Sequence, residues 1–266
     1  GYRLIDTSAA YNNEKIIGEG FHQSFGSPHA EVNAINSVKE KDLLKEATLY
    51  VNLEPCSHHG KTPPCTDLIS RMGIPEVVIG QKDPNPLVAG SGVMKLIESG
   101  SKVKTGILEN ECRYLNRRFN CFHENKRPYL ILKWAQTLDG FMDIDRSTGM
   151  KASKYWISNY QLKRLVHKWR TEEDAVLIGT TTAINDDPKL TSREWPGKNP
   201  LRIVIDEDLI IPENSNVLDS SVPTIVFTSK NNEQKPNLEY IQIDFDENIL
   251  KRIMNILYRR NVQSII

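Results

Sequence analysis

The residues best suited to chemistry are His29, Glu31, Cys56 and Cys65. They fall in His29-Ala30-Glu31, then Glu54-Pro55-Cys56, eight intervening residues, and Pro64-Cys65. One imidazole and two thiolates supply three ligands for tetrahedral zinc and leave the fourth position to water, which separates a hydrolytic site from a closed structural one. Zinc brings the pKa of such a water toward neutrality. Glu31, two residues beyond His29, is spaced to carry a proton between that water and a leaving amine. Two plainer readings use the same atoms: a purely structural zinc site, and a Cys56–Cys65 disulfide. The open ligand position argues against the first, and a reducing setting against the second.

These side chains need elements to carry them. Proline before His29 suits a helix start, so residues 29–39 read as a helix with Ala30, Val32, Ala34, Ile35 and Val38 on its apolar face. His29 and Glu31 then share the first turn, where the helix dipole favours an anion. Residues 47–53 read as a buried strand delivering Glu54-Pro55-Cys56, 66–72 as a helix opening just after Cys65, and 76–80 as a further strand before the turn-rich run 83–92. Lys15 to Gly18 reads as a strand end. Alternating strands and helices make this an α/β protein, with the loops converging at the carboxyl ends of strands.

A length of 266 residues accommodates two ordinary domains. A polar stretch, residues 123–128, reads as the linker, giving domains 1–125 and 126–266. In the second, strands are expected at 129–132, 175–179 and 201–206, with a helix over 159–169. Lys+Arg and Asp+Glu both number 34, so no global basic field recruits nucleic acid or membrane. No run of 18 apolar residues and no signal-peptide pattern is present, and four cysteines are too few for a disulfide framework. A cytoplasmic protein is expected. Cys112 and Cys121 repeat the eight-residue gap without a His-x-Glu partner and read as buried small hydrophobes.

HAEVNAI at 29–35 with EPCSHHGKTPPC at 54–65 resembles the bifunctional pyrimidine deaminase/reductase family of riboflavin biosynthesis. The long cysteine gap distinguishes that family from deaminases with P-C-x-x-C. The resemblance implies a cytidine-deaminase-like three-layer α/β/α domain, then a dihydrofolate-reductase-like α/β domain truncated at the C-terminus. It implies zinc on His29, Cys56 and Cys65, with Glu31 as the proton shuttle. His22, His58, Lys61, Asp83 and Asn85 would contact the pyrimidine or its ribosyl 5′-phosphate. The substrate implied is 2,5-diamino-6-ribosylamino-4(3H)-pyrimidinone 5′-phosphate, first deaminated, then reduced by NADPH from ribosyl to ribityl. Neither nucleic acid nor membrane is an expected partner, and a homo-oligomer is.

In the second half, KWAQTLDG at 133–140, WIS at 156–158, VHKWR at 166–170, GTTT at 179–182 and NDDPKLT at 185–191 carry the likeness. It implies NADPH near Ala135, Trp156, Thr182 and Asp186, and the substrate near Arg170, Leu190 and Arg193, with Lys133 beside the reacting sugar. Arginine forks suit phosphate, and an indole offers a flat face to a cofactor ring. Read without the likeness, Trp156 and Trp169 are core aromatics and Arg170 a solvated helix charge.

The chain departs from the family in four places. The segment 140–156 is longer than usual, and Lys154 stands where many relatives have a substrate-binding serine, a role left to Ser153 or Ser158. Glu207 sits where a small hydroxyl residue often approaches the cofactor. The sequence ends at Ser264-Ile265-Ile266, where relatives enter a glycine-rich strand–turn–helix, so a sheet short of pairing and a pocket short of a wall are expected. Residues 1–14 instead resemble a short aldo-keto reductase segment, with Asp6 and Tyr11 at catalytic positions, but no eight-stranded barrel accompanies them. Part of a central strand is therefore expected to be missing. Two rival functions remain: a deaminase of another nucleoside or nucleobase with an inactive second domain, and a zinc-stabilised binding module without catalysis.

Overall fold

The computed structural model describes residues 7–12, 15–23, 26–60, 62–85, 88–143 and 157–266. Two compact units divide the chain, Gly1–Lys126 and Arg127–Ile266. The first comprises β1 (Thr7–Asn12), β2 (Lys15–Phe21), α1 (Ala30–Ser37), β3 (Thr48–Leu53), α2 (Cys65–Arg71), β4 (Glu76–Gln81), α3 (Ser91–Glu98), β5 (Lys102–Thr105), α4 (Glu109–Leu115) and α5 (Arg117–Asn125). Its sheet runs in the order β2-β1-β3-β4-β5, with β1 antiparallel to both neighbours and β3, β4 and β5 parallel. After its first residue β4 is buried throughout, as a strand covered on both faces must be. Val77 and Ile79 join Ile35 of α1, Val38 just after it, Ile69 of α2 and Leu96 of α3 in one core. On the opposite face, Gly80 lies against the Cys112 side chain of α4. The unit is therefore a three-layer α/β/α sandwich.

Close approach of α1 to β2 depends on glycine. A Cβ on Gly20 would sit 2.7 Å from the Ala30 carbonyl oxygen and also collide with the Ala34 nitrogen. The helix is then tied down by Asn33 Nδ2 donating to the Phe21 carbonyl at 2.8 Å, and by the Glu19 N–H donating to Ser37 Oγ at 3.0 Å.

The second unit comprises β6 (Tyr129–Leu130), α6 (Tyr160–Glu172), β7 (Ala175–Gly179), α7 (Thr180–Asp186), β8 (Leu201–Ile205), β9 (Thr224–Thr228), β10 (Leu238–Gln242), α8 (Ile249–Arg259) and β11 (Ser264–Ile265). Its sheet is parallel throughout, in the order β10-β9-β8-β7-β11-β6. One face packs Ile203, Ile225 and Phe227 under Ile253 and Leu257 of α8, and the other packs Val204 and Val226 against Ala183 of α7 and the loops. Arg202 is fully buried in β8, donating to Thr224 Oγ1, the Asn216 and Val222 carbonyls and Asp219 Oδ1 at 2.8–2.9 Å.

Five expectations need correction. Residues 7–12 fill a central sheet position, pairing Ser8 with Val51 and Gly20, so the strand expected to be incomplete is present in the described residues. Residues 263–266 are stitched on both sides, by Tyr129 N–H to the Gln263 carbonyl at 2.7 Å and Ile266 N–H to the Ala175 carbonyl at 3.0 Å, so pairing at the β6–β7 gap is kept. The stretch read as a linker is helical as far as Asn125, and the strand expected over 129–132 spans two residues. Cys121 is buried as expected, but Cys112 is only half-buried. Among the described residues no helix is long and apolar enough to cross a membrane.

Gly20→Ala should push α1 off β2 and lower stability by about 1–3 kcal/mol, read from the urea midpoint. An unchanged midpoint would show that the helix is free to shift.

Candidate functional site

His29 caps the N-terminus of α1, with Glu31 in the first turn. Cys56 follows the carboxyl end of β3 by three residues, and Cys65 opens α2. The His29 Nδ1 atom lies 3.4 Å from both Cys56 Sγ and Cys65 Sγ. All three candidate ligand atoms fall within 4.8 Å of one another. Protein contacts alone hold this arrangement. Cys65 N–H points at Cys56 Sγ at 3.3 Å, and the backbone and hydroxyl of Thr66 donate to the Cys56 carbonyl at 3.2 and 3.3 Å. All four cysteines are free thiols, so the disulfide alternative is not realised.

Glu31 is buried beside these atoms, and its Oε2 has no hydrogen-bond partner among the described residues. Burial pushes its carboxyl up from the ordinary range, with Cys56 adding to the effect. A hydrogen bond from Cys65 holds the Cys56 thiol down at about 4, with His29 assisting, while the same bond and burial push Cys65 up. Two sulfurs and one nitrogen at a point, beside a carboxylate oxygen with no protein partner, fit zinc and a water.

The other residues expected at this site are distributed unevenly. His22 stacks edge-on to His29 with 5.4 Å between ring centroids, and its Nδ1 lies 3.1 Å from the Pro28 carbonyl. Burial, then His29, lowers its pKa. Asp83 and Asn85 share one turn, Asn85 N–H donating to Asp83 Oδ1 at 2.8 Å, and burial raises the Asp83 pKa. His58 is exposed, and Lys61 lies outside the described residues. Glu54 carried no assigned role in the sequence. Its buried carboxylate accepts the N–H groups of Asp83, Gly90, Gly92 and Val93 at 2.9–3.2 Å. Only its place in the Glu-Pro-Cys run marked it out.

In the second unit a cavity of about 440 Å³ is lined by Lys133, Arg170, Thr182, Asp186, Leu190 and Arg193, six of the expected residues. Ala135 does not line it, and Trp156 lies outside the described residues, as do Ser153 and Lys154. Ser158 is at the wall. Burial and Arg193 bring the Arg170 guanidinium down to about 10, and burial together with Arg170 lowers Lys133. Arg170 Nη1 also donates to the Thr191 carbonyl at 3.0 Å. Leu190 is buried with φ of 56°, a strained conformation for a branched side chain. Such a concentration of cations suits a phosphate. His167 was quoted only as part of VHKWR, yet it is buried in this wall, with Nδ1 3.5 Å from the Glu194 nitrogen.

A three-layer sandwich gathering histidine, two thiols and a buried glutamate at strand ends has the build of the zinc-dependent deaminase class. Comparison with known proteins narrows this. The family described as cytidine and deoxycytidylate deaminase zinc-binding region matches residues 8–81, and that described as RibD C-terminal domain matches 128–266. The riboflavin biosynthesis protein RibD of Aquifex aeolicus is 47% identical over 227 residues, covering 85% of this chain and 62% of that protein. Its counterpart in Synechocystis sp. is 37% identical over 266 residues, covering 97% and 70%. The crystal structure of a diaminohydroxyphosphoribosylaminopyrimidine deaminase/5-amino-6-(5-phosphoribosylamino)uracil reductase from Thermotoga maritima superposes with a TM-score of 0.87 at 40% identity, covering 98% of this chain and 72% of that one. The chain belongs to the RibD family of riboflavin biosynthesis proteins, and it spans 62–72% of the length of these three relatives.

Burial, then Arg170 and Arg193, holds the His167 imidazole down at about 4 against an ordinary 6.5. Between those values the unfolded chain binds a proton that the folded chain does not, so stability falls as pH drops from 6.5 to about 4. The loss amounts to at most about 3 kcal/mol. His167→Gln should flatten the urea midpoint over that window, and an unaltered slope would assign the effect elsewhere.

Proposed function

We propose that this chain deaminates 2,5-diamino-6-ribosylamino-4(3H)-pyrimidinone 5′-phosphate in a domain of residues 1–125 and carries the NADPH-dependent reductase fold in residues 126–266. The observation that carries the reading is His29 Nδ1 at 3.4 Å from both thiols with Glu31 buried alongside. His29, Cys56 and Cys65 would hold zinc, whose Lewis acidity makes water acidic near neutral pH. Glu31 takes a proton as the water oxygen bonds to the amino-bearing ring carbon, then returns it to the nitrogen as the carbon–nitrogen bond breaks and ammonia leaves. His22, His58, Lys61, Asp83 and Asn85 are the proposed contacts to the pyrimidine or its ribosyl 5′-phosphate.

In the second domain Arg170 and Arg193 bind the substrate phosphate, Leu190 shapes the ribose site, and Lys133 stands beside the reacting sugar. The cofactor supplies hydride when bound. Thr182 and Asp186, at the cavity wall, are its proposed contacts, with Trp156 expected beside them. Free thiols at all four cysteines support a cytoplasmic setting. Exposed apolar side chains at Trp134, Leu138, Phe141 and Met142 support a homo-oligomer.

Glu31→Gln should retain about one zinc per chain while ammonia release falls by about 10²–10⁴-fold. Cys65→Ser should lose the metal. Faster turnover of cytidine or guanine than of the pyrimidine phosphate would transfer the reading to a nucleoside or nucleobase deaminase. A wild-type protein that binds zinc and releases no ammonia from any of these would be a binding module.

A further inference from the structure

Glu54 has no role in the proposed deamination, yet the residue is only 4% exposed. Burying a carboxylate is strongly unfavourable unless it is well bonded, and four backbone donors satisfy this one. Their origin is informative. Gly92 and Val93, at 2.9 and 3.2 Å, belong to the first turn of α3, whereas Asp83 and Gly90, at 3.1 and 3.0 Å, belong to the segment before it. Capping of α3 accounts for Gly92, Val93 and the N-cap residue Gly90, and leaves Asp83 outside the helix. The Asp83 bond extends the same carboxylate's hold to the turn that contains Asp83 and Asn85. That turn is then shaped by its own bonds: Asp83 Oδ1 accepts Asn85 N–H, and the Asn85 carbonyl accepts the Val88 and Ala89 N–H groups at 2.9 Å.

The hub also adjoins the metal ligands. Glu54 precedes Cys56 by two residues, and its own N–H donates to the Gln81 carbonyl at 2.9 Å, joining the ends of β3 and β4. Gly92 packs so tightly on the Pro55 carbonyl that no Cβ fits. Ser57 Oγ meets Ser91 Oγ at 2.6 Å, and Lys95 Nζ reaches the Ser57 carbonyl at 3.2 Å. The ligands themselves have separate support from the Cys65 and Thr66 bonds to Cys56. Loss of the Glu54 carboxylate therefore frees the Asp83–Asn85 turn before it frees the thiols.

We infer that Glu54 is a positioning residue for substrate binding, fixing Asp83 and Asn85 against the metal centre. This rests on the reading that those two residues contact the pyrimidine phosphate. Glu54→Gln keeps the size but turns an amide NH₂ toward backbone donors, and Glu54→Asp keeps the charge on a shorter arm. Both are made in the full chain. Three quantities are measured: zinc content with the visible spectrum of the cobalt-substituted protein, amide hydrogen exchange, and steady-state deamination of the pyrimidine phosphate.

In Glu54→Gln the zinc content and cobalt spectrum should match wild type. Exchange should accelerate at the Asp83, Gly90, Gly92 and Val93 amides and stay unchanged at Asn33 and Thr66. KM should rise by about tenfold, with kcat within about threefold of wild type. Glu54→Asp should recover part of the KM, and it serves alone, with KM between wild type and the glutamine variant or above wild type, if Glu54→Gln does not fold. A changed cobalt spectrum or lost zinc would assign Glu54 to the ligands and overturn the inference. Unchanged exchange at the four amides, or a lower melting temperature with KM unaltered, would do so equally. If the wild-type protein does not turn over the pyrimidine phosphate, the substrate reading fails, while the exchange data still decide whether Glu54 fixes the turn.

Discussion

The first unit depends on three segments meeting at one point: the start of α1, the end of β3 and the start of α2. Each brings one ligand atom, and protein bonds already hold the three together. Thr66 and Cys65 both bond to Cys56, while glycines in β2 let α1 settle on the sheet until His29 Nδ1 lies 3.4 Å from both sulfurs. The strands β2 and β3 make this possible: both run antiparallel to β1, so their carboxyl ends open on the same edge of the sheet.

The two units solve opposite electrostatic problems. Around His29 the first unit buries acids and thiols, and burial drives Glu31 and Asp83 upward, so both are poised against unpaired negative charge. A cation at the ligand set relieves that stress. In the second unit the cavity gathers Lys133, Arg170 and Arg193, and burial, then the neighbouring cations, lowers Arg170 and Lys133. There an anion gives the relief. Equal numbers of acids and bases conceal the segregation completely, since net charge sums over both units.

At the cavity wall of the second unit, strained backbone lies beside a turn held by several hydrogen bonds. Leu190 holds a left-handed conformation at the cavity wall, close to an Asp187 turn pinned by Asn216, whose N–H and Nδ2 donate to the Asp187 carboxylate at 2.7 and 2.6 Å. Arg202 ties β8 to β9 and to the Asn216 carbonyl through its buried guanidinium, so the core and that turn share one fixture.

Local pattern in the sequence was sufficient for α1, β3, α2, β4, α6, β7 and β8, because apolar periodicity, proline placement and caps act within a few residues. The ligand set was legible for the same reason: His-x-Glu, Pro-Cys and Pro-Cys are short, chemically distinctive runs. What stayed hidden was non-local. The place of residues 7–12 and 264–265 inside their sheets depends on partners tens of residues away, and the exposure of His58 and the absence of Ala135 from the cavity wall depend on how loops fold over one another. Glu54 is the plainest case, with donors 29 to 39 residues distant. The sequence by itself determined which atoms can bind and react, since that is a property of side-chain type and short spacing. Tertiary structure alone decided which of them meet, because a buried polar group must find its partner wherever the folded chain brings one.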